Sequence, residues 1–137
     1  MALVIDASVA MGWLLPSQAD ALTIAAETTL EEDLGWIPNH FVLEVARTLR
    51  NRERRNLLTP QAVDEALARL RDMPLQQDID DALTHVSDTV ALARQHGLRI
   101  ADAGYLELAL RIDLPLATRD RKLAMAAANA GARLFAP

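Results

Sequence analysis

Short apolar runs alternate along the chain with longer stretches in which apolar residues recur every three or four positions. The first run, Leu3–Ile5, is followed directly by the charged residue Asp6 and then by a helix-like stretch. Continuous apolar runs of this length are typical of buried strands, whereas the wider spacing is typical of amphipathic helices. The pattern predicts short strands at Leu3–Ile5, 35–38, 75–79, 114–118 and 132–136.

The wider spacing predicts helices between these strands, at 8–15, 17–33, 39–54, 59–73, 80–97, 101–113 and 119–131. Residues suited to helix ends support several of these boundaries. Thr59 is a good N-cap, and Pro60 after it suits the first helical position. Ser17 and Asn39 are N-cap candidates for two other helices, and Gly97 suits a C-terminal cap.

The alternation of strands and helices predicts an α/β sandwich. Successive strand–helix–strand units give a mainly parallel sheet joined by right-handed crossovers. Because 137 residues is the size of one domain, we predict a single domain over residues 1–137. Ligands of such sheets bind beyond the carboxyl ends of the strands. Residues that directly follow a strand are therefore the first candidates for a functional site.

The composition excludes several classes of protein. The chain has no cysteine, which excludes disulfides and thiolate metal sites. The N-terminus lacks the basic segment and apolar core of a signal peptide, and no apolar run approaches the roughly 18 residues of a membrane span. These features predict a soluble, cytoplasmic protein.

The charge is unevenly distributed. The net charge of -5 argues against a general nucleic-acid coat, which would be basic overall. One segment is nevertheless locally basic. It contains one glutamate, Glu53, and five arginines: Arg47, Arg50, Arg52, Arg54 and Arg55. Such a segment can contact a phosphate chain, and it can equally be a solvated helix end favoured by the helix dipole.

Four carboxylates stand at positions that could form one site. Asp6 and Asp120 each follow a predicted strand, so the fold places them at the same edge of the sheet. Asp102 stands near the start of the helix that leads into the fourth strand, and Glu44 borders an apolar helix stripe. Each aspartate could instead be a helix N-cap. Grouped together, the carboxylates would repel one another unless a cation lay between them, and oxygen ligands suit Mg²⁺ or Mn²⁺.

Four segments together resemble a known family: VIDASV near the start, FVLEVARTL around Glu44, IADAGYLELAL around Asp102, and LPLATRDRKL around Asp120. In this order they are similar to PIN domains, and more closely to the VapC-type toxins of bacterial toxin–antitoxin operons. The resemblance implies a three-layer α/β/α sandwich with a mainly parallel sheet of four to five short strands. It also implies a Mg²⁺- or Mn²⁺-dependent endoribonuclease, a cognate antitoxin that occupies the active-site groove, and a homodimer.

Carried over by position, the resemblance implies an acidic site whose residues both bind metal and take part in catalysis: Asp6, Glu44, Asp102 and Asp120. Within this set, Asp6 and Asp102 would be the most direct metal ligands. Ser8 and Thr118 match hydroxyl positions beside such acids and would fix the carboxylates, although they could equally be a helix cap and an ordinary strand residue.

Further expectations concern the surface of the long central helix. Arg47, Arg50 and Arg54 are candidate contacts to an RNA backbone, and Leu43 is a candidate for an interface with another chain. Two other functions stay open. One is a receiver-type signalling module, which also gathers aspartates around Mg²⁺ at a sheet edge; the other is a PIN domain that binds without cleaving.

Overall fold

The computed structural model describes residues 1–80 and 82–137. Its elements, in chain order, are β1 (Leu3–Ile5), α1 (Ala7–Leu14), α2 (Ala21–Thr29), β2 (Gly35–Ile37), α3 (Phe41–Arg54), α4 (Pro60–Asp72), β3 (Leu75–Gln77), α5 (Ala82–His96), α6 (Ile100–Ile112), β4 (Leu116–Ala117) and α7 (Arg121–Asn129), with a short 3-10 turn at Pro16–Gln18.

The four strands form a parallel sheet in the order β3-β2-β1-β4. The first strand is therefore internal: Val4 pairs with Trp36 of β2 on one side and with Leu116 of β4 on the other. The chain leaves β1 toward β2 and β3 and returns to the opposite side for β4. A change of direction of this kind opens a crevice between the carboxyl ends of β1 and β4.

The helices cover the sheet in two groups. Helices α1 to α4 pack on one another, while α6 packs on α5, α7, β1 and β4. Helix α3 contributes the stripe Phe41, Val45 and Leu49, whose side chains are all fully buried. Gly35 is needed where β2 passes its neighbours, because a Cβ there would lie 2.9 Å from Ile5 Cγ1 and from Leu75 Cδ2. The predicted α/β class and parallel sheet are confirmed.

Most predicted elements are present, with shifted boundaries. Thr59 caps α4 and Pro60 is its first residue, as predicted. The predicted strand at 132–136 is wrong: within the described residues it makes one isolated bridge, Leu134 to Leu116. A strand needs several paired residues in succession, and a single pairing does not supply them.

Several helix starts differ from the predictions. The helix predicted from Ser17 begins at Ala21, because Asp20 and Thr23 form a reciprocal capping box there. Helix α3 begins one residue after His40, so Asn39 is not its N-cap. Asp81, inside the helix predicted over 80–97, lies outside the described residues; among the described residues this helix covers Ala82–His96.

Within residues 1–80 and 82–137, we find no helix with the length and apolar character needed to cross a bilayer. The single domain over 1–137 stays a prediction.

Candidate active site

Asp6 stands at the carboxyl end of β1, and its side chain does not cap the following helix. Asp6 occupies the N-cap position of α1, yet its carboxylate makes no capping hydrogen bond. Its Oδ2 instead accepts hydrogen bonds from Ser8 Oγ at 2.8 Å and Thr118 Oγ1 at 2.6 Å. The residue is only 5% exposed. The capping interpretation of Asp6 is therefore wrong, and the two hydroxyls hold a buried carboxylate in one orientation.

The surroundings of Asp6 disfavour its negative charge. Burial raises the pKa of the Asp6 carboxyl; the hydrogen bonds from Thr118 and Ser8 oppose this, and the nearby charges of Glu44 and Asp102 raise it further. The net direction is upward. A buried carboxylate that faces other carboxylates is stabilised by a cation brought close to it.

Glu44 lies in the first turn of α3 and points toward the same region. Its Oε1 accepts a hydrogen bond of 2.6 Å from the hydroxyl of Tyr105, a fully buried residue on α6. Burial, followed by the hydrogen bond and charge of Glu44, raises the pKa of the Tyr105 hydroxyl far above its ordinary value. Tyr105 therefore stays protonated and acts as a donor that fixes the carboxylate.

A second contact supports this pair from the start of α3. The His40 ring stands edge-on to the Tyr105 ring, with centroids 4.9 Å apart, and its Nε2 lies 2.9 Å from the carbonyl oxygen of Ala101. Gly104 allows this approach, because a Cβ there would lie 2.5 Å from His40 Cε1. Tyr105 was not predicted to be a partner of Glu44. Its spacing of three from Asp102, which puts both on one helix face, was the available signal.

Asp102 is the third residue of α6 and is buried. The N-cap position of this helix is Arg99, so the capping interpretation of Asp102 is also wrong. Arg99 Nε donates to Asp102 Oδ2 at 3.2 Å, while 74% of the Arg99 side chain is exposed. The Asp102 carboxylate is thus held by a solvated cation and stays open toward the pocket beside it.

Asp120 is the N-cap of α7, as one of its two interpretations predicted. Its Oδ1 accepts hydrogen bonds from the backbone of Lys122 at 2.9 Å and Leu123 at 3.2 Å, so it caps α7. Its own backbone N–H donates to Thr118 Oγ1 at 3.0 Å. Thr118 therefore connects the strand-end carboxylate Asp6 to the helix-capping Asp120.

These four acids line one cavity of about 290 Å³, together with Arg52, Arg99 and Arg119. We call it the acidic pocket. Across the described ranges, however, no three acidic or histidine side chains converge closely enough to make a ready metal site. Besides Asp6, the other three carboxylates accept hydrogen bonds from within the protein: Glu44 from Tyr105, Asp102 from Arg99, and Asp120 from the α7 backbone. The oxygen-only donors and the buried charge of Asp6 suit a hard divalent cation, but small side-chain movements would have to bring the donors together.

The arginines of this region have different roles. Arg119 holds the local backbone, since its Nε donates to Ser8 O at 2.9 Å and its guanidinium to Gln18 O at 2.5 Å. Arg50 is exposed and pairs with Glu53 at 2.6 Å. Arg47 borders two cavities beside Glu44, whereas Arg54 lies at a third.

A separate cavity of about 380 Å³ lies between the start of α3 and helices α5 and α6. Its lining is largely apolar and includes Leu43, whose side chain is 74% exposed, and Val86. We call it the apolar pocket. Leu43, the candidate interface residue, therefore borders a concave surface.

The sequence matches known proteins over nearly its whole length. The PIN domain family matches residues 3–129. Ribonuclease VapC3 from Mycobacterium tuberculosis is 37% identical over 123 residues, which cover 90% of this chain and 85% of that protein. Ribonuclease VapC3 from Pyrobaculum aerophilum is 31% identical over 128 residues, covering 90% of this chain and 93% of that one.

Solved structures share the fold. The crystal structure of PAE2754 from Pyrobaculum aerophilum has a TM-score of 0.68 at 20% identity, covering 92% of this chain and 79% of that chain. The crystal structure of FitAcB from Neisseria gonorrhoeae has a TM-score of 0.66 at 21% identity, covering 100% and 98%. The family match over residues 3–129 and the relatives above 30% identity show that this chain belongs to the PIN domain family.

Proposed function

We propose that this chain is a metal-dependent endoribonuclease and the toxin of a type II toxin–antitoxin pair. The observation that carries the proposal is the acidic pocket, where carboxylates from four separate elements line one cavity at the carboxyl edge of the sheet. Two relatives bear the name Ribonuclease VapC3 and match most of the chain, which supports RNA as the substrate. Membership of the PIN domain family favours this function over a receiver-type module.

Asp6 and Asp102 would be the direct ligands of Mg²⁺ or Mn²⁺, and Glu44 and Asp120 would complete the set. Such an ion polarises a phosphate oxygen and lowers the pKa of a bound water. The protein's own residues hold the carboxylates in place: the hydroxyls of Ser8 and Thr118 orient Asp6, and that of Tyr105 orients Glu44.

With the donors fixed in this way, attack of water in line with the scissile P–O3′ bond leaves a 5′-phosphate and a 3′-hydroxyl. The water's proton passes to solvent or to a pocket carboxylate, and the departing 3′-oxygen takes up a proton. The RNA 2′-hydroxyl has no part in this reaction, which determines the chemistry of the product ends.

The partners follow from the same proposal. A cognate antitoxin would occupy the groove over the acidic pocket, and the chain would act as a homodimer in the cytoplasm. The exposed Leu43 at the apolar pocket supports a contact with another protein chain there. Arg47, Arg50 and Arg54 stay candidate contacts to the RNA backbone.

One observation favours a second candidate, a PIN domain that binds RNA without cutting it. All four carboxylates already have hydrogen-bond partners within the protein, and no metal-ready group of three exists among the residues that the structure describes. In that case the acidic pocket would bind Mg²⁺ weakly and would release no cleaved product.

Purified protein is expected to cleave single-stranded RNA with Mg²⁺ or Mn²⁺, and EDTA is expected to abolish the cleavage. The reason is the oxygen-only donor set of the acidic pocket. Gel analysis of end-labelled RNA measures the rate, and a phosphatase or ligase assay identifies the ends. Products ending in a 2′,3′-cyclic phosphate, or full activity in EDTA, would contradict the mechanism, and absence of cleavage with retained RNA binding would favour the second candidate.

Tyr105→Phe is expected to slow cleavage by about tenfold while costing only about 1 kcal/mol of stability, the usual net value of one hydrogen bond. The ring and its packing against His40 remain, but Glu44 loses its fixed orientation. The rise in melting temperature caused by Mg²⁺ should shrink as well, since the ligand set is less organised. If the cleavage rate and the Mg²⁺-induced shift both match those of the wild type, Glu44 does not depend on Tyr105.

A further inference from the structure

A second concave surface adjoins the acidic pocket and has the opposite charge. It is a cavity of about 400 Å³ whose lining includes Arg47 from the middle of α3, Arg52 and Arg55 from the C-terminal end of α3, and Arg99 at the start of α6. We call it the basic pocket. Two of these arginines, Arg52 and Arg55, lie near the C-terminus of α3, and Arg99 is brought to them only by the tertiary fold.

The arginines of the basic pocket are largely uncompensated. Within residues 1–80 and 82–137 the side chains of Arg47, Arg52 and Arg55 have no hydrogen bond or ion pair, whereas the neighbouring Arg50 pairs with Glu53. Arg99 uses one guanidinium nitrogen on Asp102 and is otherwise exposed. Like charges that share one concave surface repel one another, and an anion bound between them offsets that cost.

The basic and acidic pockets adjoin each other. Four residues line both cavities: Glu44, Thr48, Arg52 and Arg99. A chain-like ligand that fills the basic pocket therefore needs to pass only these shared residues to reach the acidic pocket. Arg52 and Arg99 are therefore the two cations that the basic pocket shares with the acidic pocket.

We propose that the basic pocket binds the RNA phosphate next to the one that is cleaved, with Arg52 and Arg99 as its binding residues. The inference rests on the proposed nuclease function and adds a substrate-binding site to it. Arginine suits this role because its planar guanidinium donates two parallel hydrogen bonds to phosphate oxygens. A phosphodiester chain carries one charge per nucleotide, so one strand can place successive phosphates in the two pockets.

The pocket binds the RNA backbone and does not read the bases. Among the described residues that line it, none is aromatic, and Leu57 is its one large apolar side chain. Stacking platforms for bases are therefore absent from this lining, and contacts to phosphate carry no sequence information. Sequence preference, if the enzyme has one, must come from another part of the surface.

Arg52→Gln tests the proposal most directly, because the Arg52 side chain has no partner to lose among the residues that the structure describes. Binding of a fluorescein-labelled single-stranded RNA is measured in EDTA, where cleavage is off, over a range of salt concentrations. We expect about tenfold weaker binding at low salt and a salt slope smaller by about 0.7. Arg52→Lys should recover part of the affinity, since it restores the charge without the planar guanidinium. Arg99→Gln should behave like Arg52→Gln.

Arg71→Gln is the matched control, because it makes the same charge change on an exposed residue at the end of α4, away from both pockets. It should bind RNA as the wild type does. In steady-state cleavage, Arg52→Gln should raise KM by about tenfold with little change in kcat, because the contact is made equally in the ground state and the transition state. If RNA affinity falls as much in Arg71→Gln as in Arg52→Gln, the effect comes from the overall charge of the protein, and the proposal is overturned.

The remaining outcomes separate this inference from the proposed function. Wild-type cleavage with unchanged RNA affinity in Arg52→Gln and Arg99→Gln would overturn the phosphate site and leave the nuclease intact. If Arg50→Gln and Arg54→Gln lose as much RNA affinity as Arg52→Gln, RNA binds along the whole end of α3. That result would also overturn the phosphate site. If poly-glutamate binds the wild type through these arginines and RNA does not bind there, the pocket binds an acidic protein and the phosphate site is overturned. A wild type that neither binds nor cuts RNA would reject both proposals.

Discussion

Replacing Asp6 with asparagine is expected to stabilise the metal-free protein while abolishing RNA cleavage. The substitution keeps an oxygen that can accept the hydrogen bonds from Ser8 and Thr118, and it removes a buried charge that faces Glu44 and Asp102. Relief of that repulsion should raise the free energy of unfolding in EDTA by about 1 kcal/mol, or the melting temperature by roughly 4 °C.

The same substitution should shrink the stabilisation that Mg²⁺ gives the wild type, because a ligand that binds only the folded state stabilises it by mass action. Thermal unfolding of the wild type and of Asp6→Asn, each in EDTA and in Mg²⁺, gives the four melting temperatures that are compared. Asp64→Asn, on an exposed face of α4, is the matched control and should leave all of them unchanged. Equal Mg²⁺-induced shifts in wild type and Asp6→Asn would remove Asp6 from the metal site.

Arg111→Met is expected to cost about 3–5 kcal/mol of stability, the largest effect of any substitution considered. The Arg111 guanidinium lies 2.5 Å from Asp78 Oδ2, 2.7 Å from Glu107 Oε1 and 3.0 Å from Asp80 Oδ2. Glu107 is 6% exposed, so removal of the cation leaves a buried carboxylate without its main partner. This network ties the segment after β3 to α6, and chemical unfolding measures its contribution. Arg71→Met, at an exposed helix end, should cost little.

The effect of Arg111→Met should depend on pH in a defined direction. Burial by itself would raise the pKa of the Asp78 carboxyl, but hydrogen bonds from Arg111 and the Asp80 backbone bring it below its ordinary value. In the wild type, Asp78 therefore stabilises the fold above the ordinary aspartate pKa of about 3.9, and this contribution disappears as the pH falls through the lowered pKa.

Without Arg111, burial dominates, the pKa of Asp78 rises, and its charge becomes a penalty at neutral pH that protonation removes. The stability difference between the two proteins should be largest near pH 7 and shrink toward about pH 4. His85 belongs to the same network, since it lies 3.4 Å from Asp80 and 3.6 Å from Glu107. Urea unfolding across this range checks the prediction. A constant difference would show that Arg111 acts through packing instead of charge.

The sequence by itself determined the features that depend on neighbouring residues. A run of apolar residues ended by an acid marks β1 and Asp6, and the Thr59–Pro60 pair marks the start of α4. Asp120 caps α7 through the backbone two and three residues ahead, which is also a local contact. The parallel α/β class followed from the alternation of such local elements, and the four-segment resemblance pointed to the family.

Only the tertiary structure decided how the acids are held. Tyr105 reaches Glu44 across 61 residues, and Thr118 reaches Asp6 across 112. The sequence left the capping role of each aspartate open, because a cap and a site residue occupy the same position along the chain. The answer depends on which donors approach the carboxylate in space: side-chain hydroxyls at Asp6, a guanidinium at Asp102, and backbone N–H groups at Asp120. Those donors are placed by the strand order and by helix packing, which contacts between sequence neighbours do not specify.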